Sequence, residues 1–260
     1  MADHWGWRSG YTALAIGGIL FAPVLWLALG RLPRLLDSAA PSRPSEIFSS
    51  RCYWALSGAF FVLCIMLWML YAWLPNHIYE RYGLSMAASG LAATAYLQAS
   101  TITGMLSGGA LADWTVRRVG AGRFYIAGAG LALAAPFAYL TLATTSLSML
   151  KLSSAAFGLF SGVMVANIFA AAYDVISPRN YGLGAGTLNM IGGLAGGASI
   201  FLTGRWKESL GIHTLMGGGA LAAAVSAVIL VIVAGKEFGR DRQRIGLPVT
   251  WRVTSAAAKI

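Results

Sequence analysis

Hydrophobic positions along this chain fall in long unbroken blocks rather than in stripes. A helix needs about 20 apolar residues to cross a bilayer core, and seven blocks reach or approach that length. They run approximately from Tyr11 to Leu29, Tyr53 to Leu74, Met86 to Leu111, Phe124 to Leu142, Leu152 to Tyr173, Leu183 to Leu202 and Thr214 to Ala234. Backbone groups in lipid must be satisfied internally, and these runs are too long and too uniformly apolar for barrel strands. Helices are therefore predicted over all seven. The connection over residues 30–51 is the longest and holds Pro33, Pro41 and Pro44, which predicts an exposed linker. Short loops join the six later blocks. The predicted organisation is a transmembrane helix at 1–29, a linker at 30–51, a six-helix bundle at 52–235 and a basic tail at 236–260.

Composition strengthens this reading. The 260 residues are 57% apolar and 11% charged, against about 25% charged in an ordinary soluble domain. A net charge of +10 would suggest nucleic acid if it formed a stripe on a folded surface. Here the charges lie between or beside the apolar blocks, so the expected partner is a lipid bilayer and not nucleic acid. Assigning the connections alternately to two sides puts fourteen of the nineteen Lys and Arg residues on one side, with the linker, Arg117, Arg118, Arg123, Arg179 and the tail. The positive-inside rule places that side in the cytoplasm. The expectation is a multi-pass protein of the plasma (inner) membrane, with its N-terminus outside and its C-terminus inside. The first residues lack the basic region of a signal peptide, so the first block is read as a retained span. Trp68, Trp73, Tyr79, Tyr82 and Trp206 fall near the outer ends of spans, as an aromatic belt would.

Candidate chemistry narrows the picture mostly by what is missing. Cys52 and Cys64 are twelve helical positions apart, roughly 18 Å at 1.5 Å per residue, and cannot bridge within one helix. The sequence shows no metal-ligand spacing, phosphate loop or nucleophile–base constellation, so neither a cofactor nor an enzyme is expected. No Asp, Glu, His, Lys or Arg falls inside a span, where an ionisable group would mark a proton or ion path. His77 sits at an outer boundary. A seven-helix retinal protein would need a lysine in its last span, and Thr214 to Ala234 has none. A seven-helix receptor is compatible with the count alone.

The connection after the third block reads Gly109-Ala110-Leu111-Ala112-Asp113-Trp114-Thr115-Val116-Arg117-Arg118. It resembles the G-x-L-A-D-R-x-G-R-R loop of the major facilitator superfamily, departing at Trp114 and Val116. In that family the loop joins the second and third helices of each six-helix half, which is its place here counted from the long linker. Trp73-Leu74-Pro75 looks like the W-L-P helix ending of organic-anion and sugar-phosphate branches. Pro178-Arg179 is similar to a P-x-x-R-G loop in altered spacing, and Trp5-Gly6-Trp7-Arg8 looks like the start of the family's sixth helix. The resemblance implies helix six, the central loop and helices seven to twelve: an MFS-type six-helix bundle preceded by one extra transmembrane helix, an all-α polytopic membrane protein of seven spans.

The family's central cavity would be lined here by the second, third, fifth and sixth spans. Candidate cavity residues are Trp68, Tyr71, Thr94, Gln98, Thr101, Asn167 and Asn189. Thr94, Gln98 and Thr101 share a helical stripe. Asn167 and Asn189 are expected at similar depth, either bonded to each other or both facing a cavity. The resemblance also implies a cytoplasmic gating motif of Gly109, Asp113, Arg117, Arg118, Asp174 and Arg179, a charge cluster holding the outward-open state. Gly192/Gly196 and Gly193/Gly197 are small-x-x-x-small pairs that predict close helix packing.

These features imply one half of a secondary carrier working by alternating access on a small solute, with an organic anion or carboxylate favoured. The missing N-terminal half would come from the same gene or a second chain. The rival expectation is a non-transporting membrane assembly protein or an inactive truncated carrier.

Overall fold

The computed structural model describes residues 2–30, with side chains from 12 to 28, and residues 43–247. The chain divides into two compact units, Met1–Pro41 and Ser42–Ile260. The first contributes helix α1 (Ala2–Gly30), with Pro23 inside it and its described side chains exposed. The second holds α2 (Pro44–Ser49), α3 (Arg51–Tyr82), α4 (Met86–Val116), α5 (Gly122–Ala143), α6 (Leu147–Tyr173), α7 (Tyr181–Leu210) and α8 (Ile212–Arg244), with a 3₁₀ turn at Pro178–Asn180.

Local chemistry sets the helix ends. Ser50, Ser85 and Ser146 each stand at an N-cap, their hydroxyls accepting from the backbone N–H of Tyr53, Ala88 and Met149, which satisfies a donor the first turn leaves orphaned. Gly83 ends α3 in the left-handed region at φ 64°, a backbone that costs glycine nothing.

Five helices among the described residues are long and apolar enough to cross a membrane: α3, α5, α6, α7 and α8, the α6 and α7 spans reaching Val175 and beginning at Pro178. The fold is thus an all-α, multi-pass membrane bundle. Helix α4 has the length, 31 residues, but Ser89, Thr94, Gln98, Thr101, Thr103 and Ser107 make it less apolar than its neighbours. The described apolar stretch of α1 is Thr12–Ala28.

Packing is tightest between α4 and α6, then between α5 and its neighbours α6 and α8. A Cβ built on Gly104 would fall 1.9 Å from the Leu159 carbonyl oxygen, and one on Gly158 2.3 Å from that of Leu97. Glycine on both helices therefore lets backbone meet backbone. Between these helices and α3, α5 and α8 lies one core in which Leu97, Phe124, Leu131, Phe157, Met66 and Leu70 are fully buried.

Two boundaries differ from the sequence expectation. Residues 31–42 of the expected linker lie outside the described residues, but its end is not a free segment: α2 buries Ile47 at 2% exposure, and Ser50 is buried too. The expected tail also begins as helix, because α8 continues to Arg244 with Asp241 and Arg242 each at 2% exposure. The buried Ser50 and the helical start of the tail have one cause. Buried charges need partners, and the Asp241 carboxylate accepts from the Ser50 hydroxyl and the Cys52 backbone N–H, both at 2.9 Å. The acid at the end of α8 thereby caps the start of α3.

Candidate functional site

Three of the expected cavity residues come together on α3 and α4. The Trp68 indole, 43% exposed, meets Tyr71 edge-on with ring centroids 6.0 Å apart. The half-buried Tyr71 side chain comes near that of Gln98, which is exposed on α4, with no hydrogen bond formed between them. Helix α7 closes on the indole through Gly196, where a Cβ would stand 2.7 Å from Trp68 Cδ1. Thr94 is exposed one turn from Gln98, its hydroxyl donating to the Gly90 carbonyl.

The remaining candidates separate. Thr101 is half-buried, its hydroxyl donating to Leu97 O at 2.7 Å, and it faces α6 at Gly158. Asn167 is buried and donates to Gly108 O of α4 at 3.2 Å and to Val163 O at 2.9 Å, so its amide ties two helices together. Asn189 is exposed on α7, and a Cβ on neighbouring Gly193 or Gly197 would meet nothing within 4 Å. The two asparagines do not pair. Only one of the two expected glycine pairs packs: Gly192 and Gly196 lie against Phe60, Cys64 and Trp68 of α3, while Gly193 and Gly197 face open space.

The expected charge cluster resolves into two, and its centre is a residue sequence reasoning passed over. Arg123, at the start of α5, donates to both carboxylate oxygens of Asp174 at 2.9 Å and to Asp113 at 3.2 Å. Asp174 is additionally approached by Arg242 of α8, which donates to its backbone carbonyl at 3.2 Å. Asp113, Arg123 and Asp174 therefore link α4, α5 and α6 at one end of the bundle. Arg117 and Arg118 are not in this group: Arg117 is exposed, and the Arg118 guanidinium lies over the Trp114 ring at 3.6 Å. Trp114, one of the departures from the family loop, thus takes up an arginine by cation–π attraction. Gly109 is half-buried with open space where a Cβ would sit.

The second cluster joins α2 to the turn before α7. Glu46 pairs with Arg179 and accepts from Ser177 at 2.6 Å and Asn180 at 2.8 Å. Asn180 also clasps the Arg43 backbone, accepting from its N–H at 2.8 Å and donating to its carbonyl at 3.3 Å. Neither Glu46 nor Asn180 stood out in the sequence. The available signals were Pro44 followed two residues later by an acid, which marks a helix start, and an Asn directly before an apolar block.

At the opposite end a cavity of about 280 Å³ is lined by Trp73, Asn76, His77, Glu80, Lys207 and Glu208. The Lys207 ammonium lies 4.3 Å from the Trp73 ring centre. His77 thus belongs to a polar rim, with Glu80 accepting from Asn76 at 2.7 Å.

Comparison with known proteins agrees with this architecture. The structure resembles a peptide transporter of the POT type crystallised with alafosfalin, at a TM-score of 0.59 and 19% identity, covering 79% of this chain and 43% of that one. It also resembles a bacterial homolog of the human lysosomal transporter Spinster, inward-facing and unoccupied, at a TM-score of 0.57 and 22% identity, covering 96% of this chain and 61% of that one. At these identities the likeness concerns the fold. The chain spans about half of the length of the solved transporters it matches. No curated protein matches it. A family model described as Major Facilitator Superfamily matches residues 1–200, which include the Asp113 loop, the α4–α6 crossing and most of α7, and the chain belongs to that superfamily.

Proposed function

We propose that this chain is the C-terminal half of an alternating-access secondary carrier for a small solute, with seven membrane spans, its N-terminus outside and the Asp113 end of the bundle in the cytoplasm of an inner-membrane location. The observation that carries this reading is the grouping of Trp68, Tyr71 and Gln98 on α3 and α4, with exposed Thr94 beside them. Trp68, Gln98 and Thr94 are exposed on long helices, and polar side chains are costly against lipid. They are accounted for if that face meets a solute and a second six-helix half rather than hydrocarbon. Carriers of this kind bind at the midplane between their two halves and rock about that site.

An organic anion or carboxylate is the favoured solute. The indole N–H, the phenol and the carboxamide are hydrogen-bond donors that suit carboxylate oxygens, and the Trp73-Leu74-Pro75 ending supports the same branch. No Asp, Glu, His, Lys or Arg lies at mid-span among these residues, so a charge-pairing group or proton carrier comes from the complementary half, in the same polypeptide or a second one. No step of this function is enzymatic.

Uptake into proteoliposomes tests the reading. The chain paired with a complementary half should accumulate solute, and Gln98→Ala should lower uptake about tenfold or more, the loss of one buried polar contact to substrate being worth 1–3 kcal/mol. Robust uptake by a demonstrable monomer of this chain alone would overturn the half-carrier proposal.

A further inference from the structure

One face of the bundle, away from Trp68 and Gln98, carries a seam that the carrier reading leaves unused. Between α5 and α8 three cavities follow one another. The first, about 460 Å³, lies at the Asp113 end and is lined by Tyr125 with Lys236, Arg240 and Gln243. The second, about 390 Å³, shares Tyr125 with it and is walled by Gly128, Ala129, Ala132, Val228 and Ile232. The third, about 410 Å³, shares Ala132 with the second and continues towards Tyr139 and Gly217.

Sequence spacing explains why the seam runs straight. Tyr125, Ala129, Ala132, Pro136 and Tyr139 recur at helical spacing on α5, and Ala224, Val228, Ile232, Lys236, Arg240 and Gln243 do so on α8. The floor stays low because Gly128 sits where a Cβ would come within 2.9 Å of Val231, and because Gly235 leaves room for the Tyr125 hydroxyl. Along α8 the face turns abruptly from apolar to cationic at Lys236.

We propose that this seam binds one anionic phospholipid, its phosphate on Lys236, Arg240 and the Tyr125 hydroxyl and one acyl chain along Ala129, Ala132 and Val228. Three observations support that occupant. Lys236 is exposed with no ion pair among the described residues, and the Tyr125 hydroxyl makes no hydrogen bond there. Arg240 is 69% exposed and uses one contact on Glu237, leaving further guanidinium donors for a phosphate. The nine helical steps from Ala227 to Lys236 rise roughly 13 Å, close to the ~15 Å thickness of one hydrocarbon leaflet. A partner helix would need polar or packing complements along the whole seam, whereas here the charge is confined to the headgroup end. The site requires no transport, so it stands or falls independently of the carrier reading.

Native mass spectrometry of the delipidated full chain in detergent tests it, with dioleoyl phosphatidylglycerol and dioleoyl phosphatidylcholine titrated side by side. Phosphatidylglycerol should be retained several-fold more tightly. Lys236→Gln should weaken its binding about fivefold, the effect of one basic residue at an anionic headgroup, while Lys236→Arg keeps it. Ala132→Trp, which fills the seam from an exposed position, should reduce retention of both lipids, and glycerol phosphate without acyl chains should not compete. Equal retention of the two lipids, an unchanged preference in Lys236→Gln, or full competition by glycerol phosphate would each overturn the proposal.

Discussion

The crossing of α4 and α6 offers the sharpest test of how this bundle is held together, through Gly104→Ala. The added Cβ would stand 1.9 Å from the Leu159 carbonyl oxygen and 3.0 Å from its Cα, where ordinary contacts begin near 3.4 Å. Those atoms are backbone, so no rotamer change relieves the clash and the helices must separate by about 1.5 Å. A gap of only 0.5–1 Å already forfeits roughly a quarter to a half of each dispersion contact, and overpacking of this kind costs about 1–3 kcal/mol. The same crossing holds the Asn167 amide to Gly108 O at 3.2 Å. Stretching that bond adds about 0.6 kcal/mol, the average for such bonds in a membrane protein. Alanine returns about 1 kcal/mol through helix propensity, leaving a net loss of about 2 kcal/mol. Gly90→Ala, on the same helix with nothing within 4 Å, keeps the propensity gain without the clash. Unfolding in mixed micelles, followed by tryptophan fluorescence, should therefore show Gly104→Ala less stable than the parent and Gly90→Ala equal or more stable. Stability of Gly104→Ala within about 0.5 kcal/mol of the parent, or equal losses in both variants, would refute close backbone approach as the source of this packing.

Other consequences concern the charges. Asp174→Asn removes a carboxylate 6% exposed from beside Arg123; breaking a buried pair costs about 3–5 kcal/mol, so thermal unfolding should shift strongly downward. Asp113→Asn touches the same arginine from a carboxylate 68% exposed and should cost under about 1 kcal/mol, while distance measurements between spin labels on the two halves of the full carrier should show altered conformational populations. Glu46→Gln should release α2, seen as faster amide exchange over residues 43–50 with the α4–α6 crossing unchanged. Arg117→Ala should leave the melting temperature within measurement error, because that side chain is exposed and makes no ion pair among the described residues.

How much of this was legible in the sequence depends on what each feature rests on. The helix blocks were readable because lipid demands long apolar runs, and the Asp113 loop because six of its residues keep their letters. The partner of Asp113 was not, because Arg123 lies ten residues on and across a turn, and charge tallies record sidedness rather than pairing. Glycines illustrate the same limit. The dense run on α7 stands out by its spacing, yet the closest approaches put Gly104 and Gly108 of α4 against Leu159 and Val163, and Gly158 and Gly162 of α6 against Leu97 and Thr101, and spacing on one helix cannot say which neighbour it meets. Asn167 and Asn189 were equivalent letters at matching depth, but the facing direction set by neighbouring helices made one a strut and left the other exposed. The helical ends of the expected linker and tail are hard to read for a related reason. Proline and net charge suggested solvent, whereas Glu46 and Asp241 each found a hydrogen-bonded partner that draws its helix onto the bundle.

These ties are distributed in a way that bears on mechanism. Within the second unit the α4–α6 crossing is buried and the Arg123–Asp174 pair partly so, and breaking either is expected to cost kilocalories. Asp113 is the exposed end of that chain of charges, with Arg123 held in place behind it by a buried acid. A carboxylate so placed can exchange partners at little cost to its own unit, because the tie it gives up is solvent-screened while the arginine keeps Asp174. Gln98 and Thr94 are likewise exposed, beside a Trp68 that α7 holds at Gly196. The carrier proposal asks for this division: in a half that rocks against another, contacts that persist through the cycle would be the deep ones and contacts that change would lie on its open surfaces.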